Sequence, residues 1–387
     1  MTEVPRRSRR WRAAFPRLSR FALEHLLLLP LGASIALVWV NTDPESYYRF
    51  TYRIAFAVND VAMVFFFALM TKEVVEATAP GGLLHPWRRV ALPVIAAAGA
   101  TTVSALIHVR VVDVLDEPAL RVVWPVAFGT DIALSYFVAR IIFRRQLIPF
   151  VLLLAIASDA LGFLAIAWFN PTRDLHLLEG TAIMAAAIAV AIALRRARVK
   201  SFWPYVAAAG GASWFALFRG GFHPALALVP IVPFLPHAPR DPGFFVDASP
   251  DAKDALSRFE IACRHPAQIA LFFFGLVNAG VSFRALEPGT WGLPIAVLAG
   301  RPVGILLGAG VALAAGLHLP PRVGWRELVT VGFIAAIGFS LGLFFCSALL
   351  PPGQLRAETS MGVLITLAGA PLAIAAARLF RIGRFAR

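Results

Sequence analysis

Four ionisable residues fall inside stretches of sequence that are otherwise apolar: Asp60, Asp131, Asp159 and Arg301. A charge at the middle of a bilayer costs at least ~2.5 kcal/mol, so an acid or base at that depth is a functional expectation by default. Asp131 sits in Val126-Ala-Phe-Gly-Thr-Asp-Ile-Ala-Leu134, where Pro125, Gly129 and Thr130 weaken a helix at the same point. Asp159 follows in the next apolar stretch, between Leu152 to Ala157 and Leu161 to Ala167. A broken helix with a carboxylate at the break supplies the hard oxygen ligands that a cation needs, from the acid and from freed backbone carbonyls. Thr130 and Ser158 add hydroxyl oxygens. A carboxylate that binds either a proton or a cation, and opens alternately to each side, is sufficient for exchange. The other reading of Asp131 and Asp159 is a structural ion pair that fixes helix packing. For Asp60, beside Asn59 and near the end of its stretch, that structural reading is the preferred one.

These residues need a membrane to position them. Of the 387 residues 59% are hydrophobic, and long apolar runs recur from residue 21 to residue 377, which specifies an all-α polytopic membrane protein. Twelve spans are expected, near 21–40, 54–71, 90–108, 119–139, 148–168, 179–195, 203–218, 222–236, 265–283, 291–315, 327–349 and 359–377. The formal charge of +14 does not indicate nucleic acid, because the basic residues lie in short loops and tails and concentrate on alternate loops. By the positive-inside rule both termini are cytoplasmic in a cell membrane. Residues 1–387 form one transmembrane domain, with a basic tail over 1–20 and a polar cytoplasmic loop over 237–264 that holds a short surface helix around Asp251 to Glu260. The N-terminal run lacks a small-residue cleavage site and is read as a retained helix. Cys263 and Cys346 suggest neither a disulfide framework nor a metal site.

Arg301 lies in Ala299-Gly-Arg-Pro-Val-Gly304, where Pro302 and the glycines predict a distorted helix. Arginine does not give up its proton in proteins, so its expected work is to neutralise the negative ends of interrupted helices while Asp131 neutralises positive ends. The span at 327–349 contains Gly338-Phe-Ser-Leu-Gly342, a second candidate break. The same string matches the nucleophile elbow of soluble hydrolases, but a membrane span offers no strand-turn-helix context for a catalytic Ser340. Close packing through small residues is the better reading.

Together the residues resemble the NhaA family of sodium/proton antiporters. The stretches that carry the resemblance run through most of the chain: Asn59-Asp60 with Phe65-Phe66 and Lys72-Glu-Val74, Thr130-Asp-Ile-Ala133, Asp159 with Leu161-Gly162, Gly221-Phe-His223, His265-Pro266, Asn278-Ala-Gly-Val-Ser282, Gly300-Arg-Pro-Val-Gly-Ile305 and Ile337-Gly-Phe-Ser340. The resemblance implies two inverted three-helix repeats over about 90–168 and 291–377, with interrupted helices crossing at mid-membrane. It places Glu73 on a glutamate of the cytoplasmic funnel and His223 near a pH-responsive region. As lone residues, both read more often as ordinary interface polar groups. Two departures stand out. The family carries adjacent aspartates before Leu-Gly, and this chain reads Ser158-Asp159-Ala160-Leu161-Gly162, with one carboxylate missing. Arg301 stands where the family has lysine.

The expected function is a secondary antiporter that exports Na+ or Li+ against H+, with Asp159 holding the transported Na+ and a 1:1 exchange following from the single free acid. It needs no cofactor and is not an enzyme; its partners are the transported ions and membrane lipid, with a homodimer left open. The alternative is a transporter-fold homologue that has lost antiport and carries another solute or is regulatory. An intramembrane aspartyl protease would want Tyr-Asp and Gly-x-Gly-Asp, and neither precedes Asp131 or Asp159.

Overall fold

The computed structural model describes residues 28–78, 88–143, 147–169, 176–237, 254–320 and 323–386. Within them the chain is helical, and six helices are long and apolar enough to cross a membrane, or eight when each of two bent pairs is counted as one span. The elements are α1 (Leu28–Thr42), α2 (Pro44–Phe56), α3 (Met63–Thr78), α4 (Arg88–Val114), α5 (Ile132–Ile142), α6 (Ile148–Phe169), α7 (Leu177–Arg196), α8 (Gly211–Gly220), α9 (Ala255–Asn278), α10 (Gly292–Ala314), α11 (Trp325–Ala335), α12 (Phe339–Leu349), α13 (Gln354–Ile365) and α14 (Gly369–Leu379). An eleven-residue 3-10 helix, Pro118–Phe128, precedes α5. A π-helical turn, Ala57–Ala62, joins α2 to α3.

The helices pack as two groups. In one, α9 packs against α1 and α3, and α7 against α8. In the other, α4 runs along α10, α10 and α14 pack on α11, and α5 and α6 complete the layer. Glycine sets the α4–α10 spacing: a Cβ on Gly304 would come within 2.4 Å of the Gly99 carbonyl oxygen. Backbones this close gain dispersion contact where lipid supplies no hydrophobic drive between helices.

Two bent pairs interrupt the second group. The 3-10 helix and α5 meet at 58°, and α11 and α12 meet at 49°. These are the breaks expected at Thr130-Asp131 and near Gly338. At the first, Gly129 and Asp131 adopt extended backbone, so helical hydrogen bonding stops at Phe128 and restarts at Ile132.

Three expectations are corrected. The span expected at 222–236 is not α-helical; it folds into 3-10 turns at Pro224–Leu226 and Val232–Phe234, because Pro224, Pro230, Pro233 and Pro236 remove amide donors throughout an apolar stretch. The surface helix near Asp251 to Glu260 is instead the first part of α9, which runs unbroken to Asn278 from an Asp254 cap that accepts the Ser257 N–H; residues 251–253 lie outside the described residues. The helix carrying Arg301 is not interrupted: α10 is continuous through Pro302, and Gly332 of α11 packs directly on that proline.

Candidate ion-translocation site

The two breaks cross at glycine. A Cβ on Gly129 would lie 2.7 Å from the Gly342 nitrogen, and one on Gly338 would lie 2.9 Å from the Gly129 oxygen. No side chain larger than hydrogen fits between the chains without backbone movement. This approach leaves helix ends facing one another inside the protein, each with unsatisfied backbone groups.

Asp131 satisfies two of the amino ends. Its Oδ1 accepts the Leu134 N–H at 2.8 Å, capping α5, and its Oδ2 accepts the Ser340 N–H at 3.2 Å, at the start of α12. Its own backbone N–H donates to the Ile337 carbonyl at 2.6 Å, in the linker beyond α11. Gly338 N–H donates to the Thr366 hydroxyl at 3.2 Å. Asp131 is only 1% exposed, and a buried carboxylate is tolerated where helix amino ends and amides surround it.

Arg301 satisfies the opposite kind of end. Its Nη2 donates to the carbonyls of Ala127 at 2.8 Å and Gly129 at 3.0 Å, and its Nη1 donates to the Thr130 hydroxyl at 2.8 Å. The guanidinium is fully buried. The fork reaches several oxygens that a single ammonium nitrogen could not engage in the same way.

Asp159 enters from α6. Its Oδ1 accepts the Thr130 N–H at 2.9 Å, while its Oδ2 is buried with no hydrogen-bond partner. Ser158, fully buried beside it, also leaves its hydroxyl unpartnered. No basic nitrogen among the described residues lies within 4.0 Å of the Asp159 carboxylate. Ala160 is exposed and contributes no oxygen. A cavity of about 20 Å³ touches Asp131 and Ser340 together with Phe66 and Met70, room for about one water-sized species.

Thr130, Asp159 and Arg301 are thus joined by hydrogen bonds at the first break, with Asp131 next to Thr130 in the chain. Asp131 and Arg301 are not in contact as an ion pair; each serves different helix ends. Glu73 and His223 lie elsewhere. Glu73 joins a buried cluster in which Lys72, 1% exposed, pairs with Glu76 and Glu260 at 2.8 Å and with Glu73 at 3.3 Å. His223 accepts the Ala225 N–H at 3.3 Å and its ring packs on Phe344 of α12 at 4.6 Å. Asp60 sits in the π-helical turn, and its carbonyl accepts the Trp214 indole N–H at 2.9 Å.

Two networks escaped sequence reasoning. Lys72, Glu73 and Glu76 lie beyond the span expected at 54–71, yet they belong to α3. At the other end of the bundle the Asn59 and Asn278 side-chain amides bond reciprocally at 3.3 and 2.8 Å, and Arg356 donates to Asn278 Oδ1 at 2.8 Å. Asn59 and Asn278 both fall in motif stretches, so pairing the motifs could have found this contact.

Comparison with known proteins agrees with this architecture. Residues 22–377 match the family described as Na+/H+ antiporter 1. A Na+/H+ antiporter NhaA from Geobacter metallireducens is 36% identical over 375 residues, covering 93% of this chain and 97% of that protein. One from Desulfitobacterium hafniense is 37% identical over 377 residues, covering 94% and 96%. Among solved structures, the sodium proton antiporter MjNhaP1 from Methanocaldococcus jannaschii at pH 8 superposes with a TM-score of 0.60 at 15% identity, covering 92% of this chain and 91% of that one, a likeness of fold alone. The chain belongs to the Na+/H+ antiporter 1 family, the NhaA antiporters, which are transporters and not enzymes.

Proposed function

We propose that the protein exports Na+, and Li+ as its smaller analogue, in exchange for H+, one ion for one proton. The observation that carries this reading is the Asp159 Oδ2 atom, a buried carboxylate oxygen with no partner beside a helix break. The unpartnered Ser158 hydroxyl supplies a second oxygen from the same helix. A proton on Asp159 and a Na+ against it are alternative ways to neutralise one charge, so the two compete for one site. Asp131 spends both oxygens on backbone amides, and arginine at 301 keeps its proton. Neither is free to carry a second proton.

The fold is read as twelve helices in two inverted repeats, over about 90–168 and 291–377. The pairing of one bent helix from each repeat supports this reading. Both termini face the cytoplasm, on the distribution of basic loops, and residues 1–387 act as one transport domain. Alternating access follows when the group of α4–α6 and α10–α14 moves against the group of α1–α3 and α7–α9, exposing the break first to one side and then to the other. His223 packs on Phe344 at a contact between these groups, Glu73 lies in the Lys72 cluster within one of them, and both are assigned to control of that movement.

The test is Na+-dependent dequenching of a pH dye in inverted vesicles, with wild type beside Asp159→Asn. Na+ should collapse the proton gradient in wild type and leave it intact in the variant. Wild type that fails to respond to Na+ or Li+ would favour a homologue that has lost antiport, as the missing carboxylate at Ala160 allows. A variant that responds like wild type would remove Asp159 from the site.

A further inference from the structure

A second cavity lies far from the break, at the end of the bundle that the proposed orientation places outside. It has a volume of about 530 Å³ and opens between the two groups of helices. One wall comes from α2 and the end of α9, through Tyr47, Tyr48, Tyr52 and the Val277 to Val281 stretch. The other comes from the start of α13, through Gly353, Gln354 and Arg356. The helix cluster around Asp159 contributes nothing to it.

The charge in this cavity is one-sided. Among its lining residues Arg356 is the one carrying a formal charge. Its Nη2 donates to Asn278 Oδ1 at 2.8 Å, which engages one of five N–H donors, and no carboxylate lies within 4.0 Å of it among the described residues. The amino end of α13 adds to the same sign: its N-cap, Gly353, has no side chain to cap the first turn, and that turn holds no acid. Tyr48 and Tyr52 are 51% and 84% exposed, presenting an apolar ring and a hydroxyl donor together, as aromatic residues do at a membrane interface. Tyr47 is committed: its hydroxyl donates to the Leu276 carbonyl at 2.8 Å.

We propose that this cavity binds a phosphate-bearing organic anion of glycerophosphate size, held by the Arg356 fork with its organic part against the tyrosines. The fork geometry suits phosphate oxygens. The volume exceeds that of a bare inorganic ion and suits a headgroup. Because α2 and α9 form one wall and α13 the other, an occupant ties together the two groups whose relative movement exchange requires. The anion can come from the aqueous phase or from the headgroup of an anionic lipid. The proposal stands apart from the antiport reading, since it uses no residue of the Asp159 site.

The experiment is a thermal-shift titration of the purified full-length protein in neutral detergent. Glycerol phosphate and short-chain phosphatidylglycerol serve as probes, at equal millimolar concentrations. A ligand that binds the folded state alone raises Tm as its concentration passes Kd. Wild type should gain several degrees with at least one probe. Arg356→Gln removes the charge, and Ala357→Phe fills the cavity while leaving Arg356 in place; both should lose the gain. A gain with glycerol phosphate identifies a soluble source, and a gain with the lipid alone identifies the headgroup. No gain with either probe overturns the proposal. So does a gain that survives either substitution, because it then lies outside the cavity or does not depend on the cation.

Discussion

Asp131 Oδ2 accepts the Ser340 N–H at 3.2 Å, so the carboxylate at one helix break caps the start of the helix after the other break. The backbone reciprocates, with Asp131 N–H donating to the Ile337 carbonyl at 2.6 Å. The two bent pairs are therefore locked through backbone groups as well as through glycine packing. The side-chain atoms left unpartnered at the crossing are Asp159 Oδ2, the Ser158 hydroxyl and Arg301 Nε. The labour is divided: Asp131 and Arg301 hold the helix ends, and Asp159 keeps one carboxylate oxygen unpartnered.

Asp131 and Arg301 act on opposite ends of helices that meet at the break, and their substitutions should be coupled. Asp131→Asn removes the charge and one acceptor from two amino ends. Arg301→Gln removes the donors that hold the Ala127 and Gly129 carbonyls. Each should lower stability in detergent by about 1–3 kcal/mol, the cost of leaving buried backbone groups unsatisfied. The double variant should lose less than the sum, because it removes both uncompensated charges together. Thermal unfolding of the four proteins measures the coupling, and strictly additive losses would count against it.

Gly129 is required by the approach of Gly342, not by its own dihedrals, which are ordinary extended backbone. Gly129→Ala places a methyl carbon 2.7 Å from the Gly342 nitrogen, and backbone cannot give way as a side chain can. Overpacking of this kind costs about 1–3 kcal/mol. Gly211→Ala is the control, since its added Cβ meets nothing within 4 Å. Gly129→Ala should lower Tm and slow exchange, while Gly211→Ala should leave Tm unchanged or slightly raised. Equal behaviour of the two would remove the crossing from the argument.

The break residues were legible in the sequence because a charge inside an apolar run advertises its own cost, and Pro125 and Gly129 mark where a helix weakens. The division of labour was not legible, because it depends on which oxygens face which amides across the crossing. Residues 222–236 depart from an α-helix for a related reason: their composition is that of a span, and only the spacing of four prolines argues for 3-10 turns in its place. The Lys72 cluster was hidden by distance along the chain. Glu260 lies on α9, where the sequence predicts only a short surface helix and the structure has the first turns of a long one capped by Asp254. Pro302 taught the opposite lesson, since α10 absorbs it without a break.

Lys72 is buried among Glu73, Glu76 and Glu260 and joins α3 to α9. Removing the cation leaves three carboxylates facing one another with no basic partner at Lys72. Lys72→Met should destabilise the protein by about 3–5 kcal/mol, the cost of breaking a buried ion pair from one side. Adding Glu260→Gln should recover part of that loss. Thermal unfolding at low and high salt measures both; the single-variant loss should persist at high salt, because the cluster is shielded from solvent ions. No recovery in the double variant would mean that the loss comes from packing of the lysine stem.

A site with one free acid fixes the charge moved in each cycle. On the proposed reading, Asp159 loaded with one H+ and Asp159 loaded with one Na+ carry the same charge, and Asp131 and Arg301 exchange no proton. A full cycle then moves no net charge, so an imposed membrane potential should not drive it. A site with a second acid in place of Ala160 could load two protons against one Na+, and the potential would then contribute about 2.3 kcal/mol per 100 mV for each charge moved. Sodium-driven proton flux in proteoliposomes, with a potassium/valinomycin potential clamped at zero and then imposed, separates the two cases. The expected outcome is the same flux at both settings. Flux that rises when the potential favours proton entry would require a second proton carrier, and Asp60, in the π-helical turn between α2 and α3, is the first residue to replace. Ala160→Asp is the complementary variant: restoring a second carboxylate next to Asp159 should make the flux respond to voltage, and that gain would tie the stoichiometry to this position.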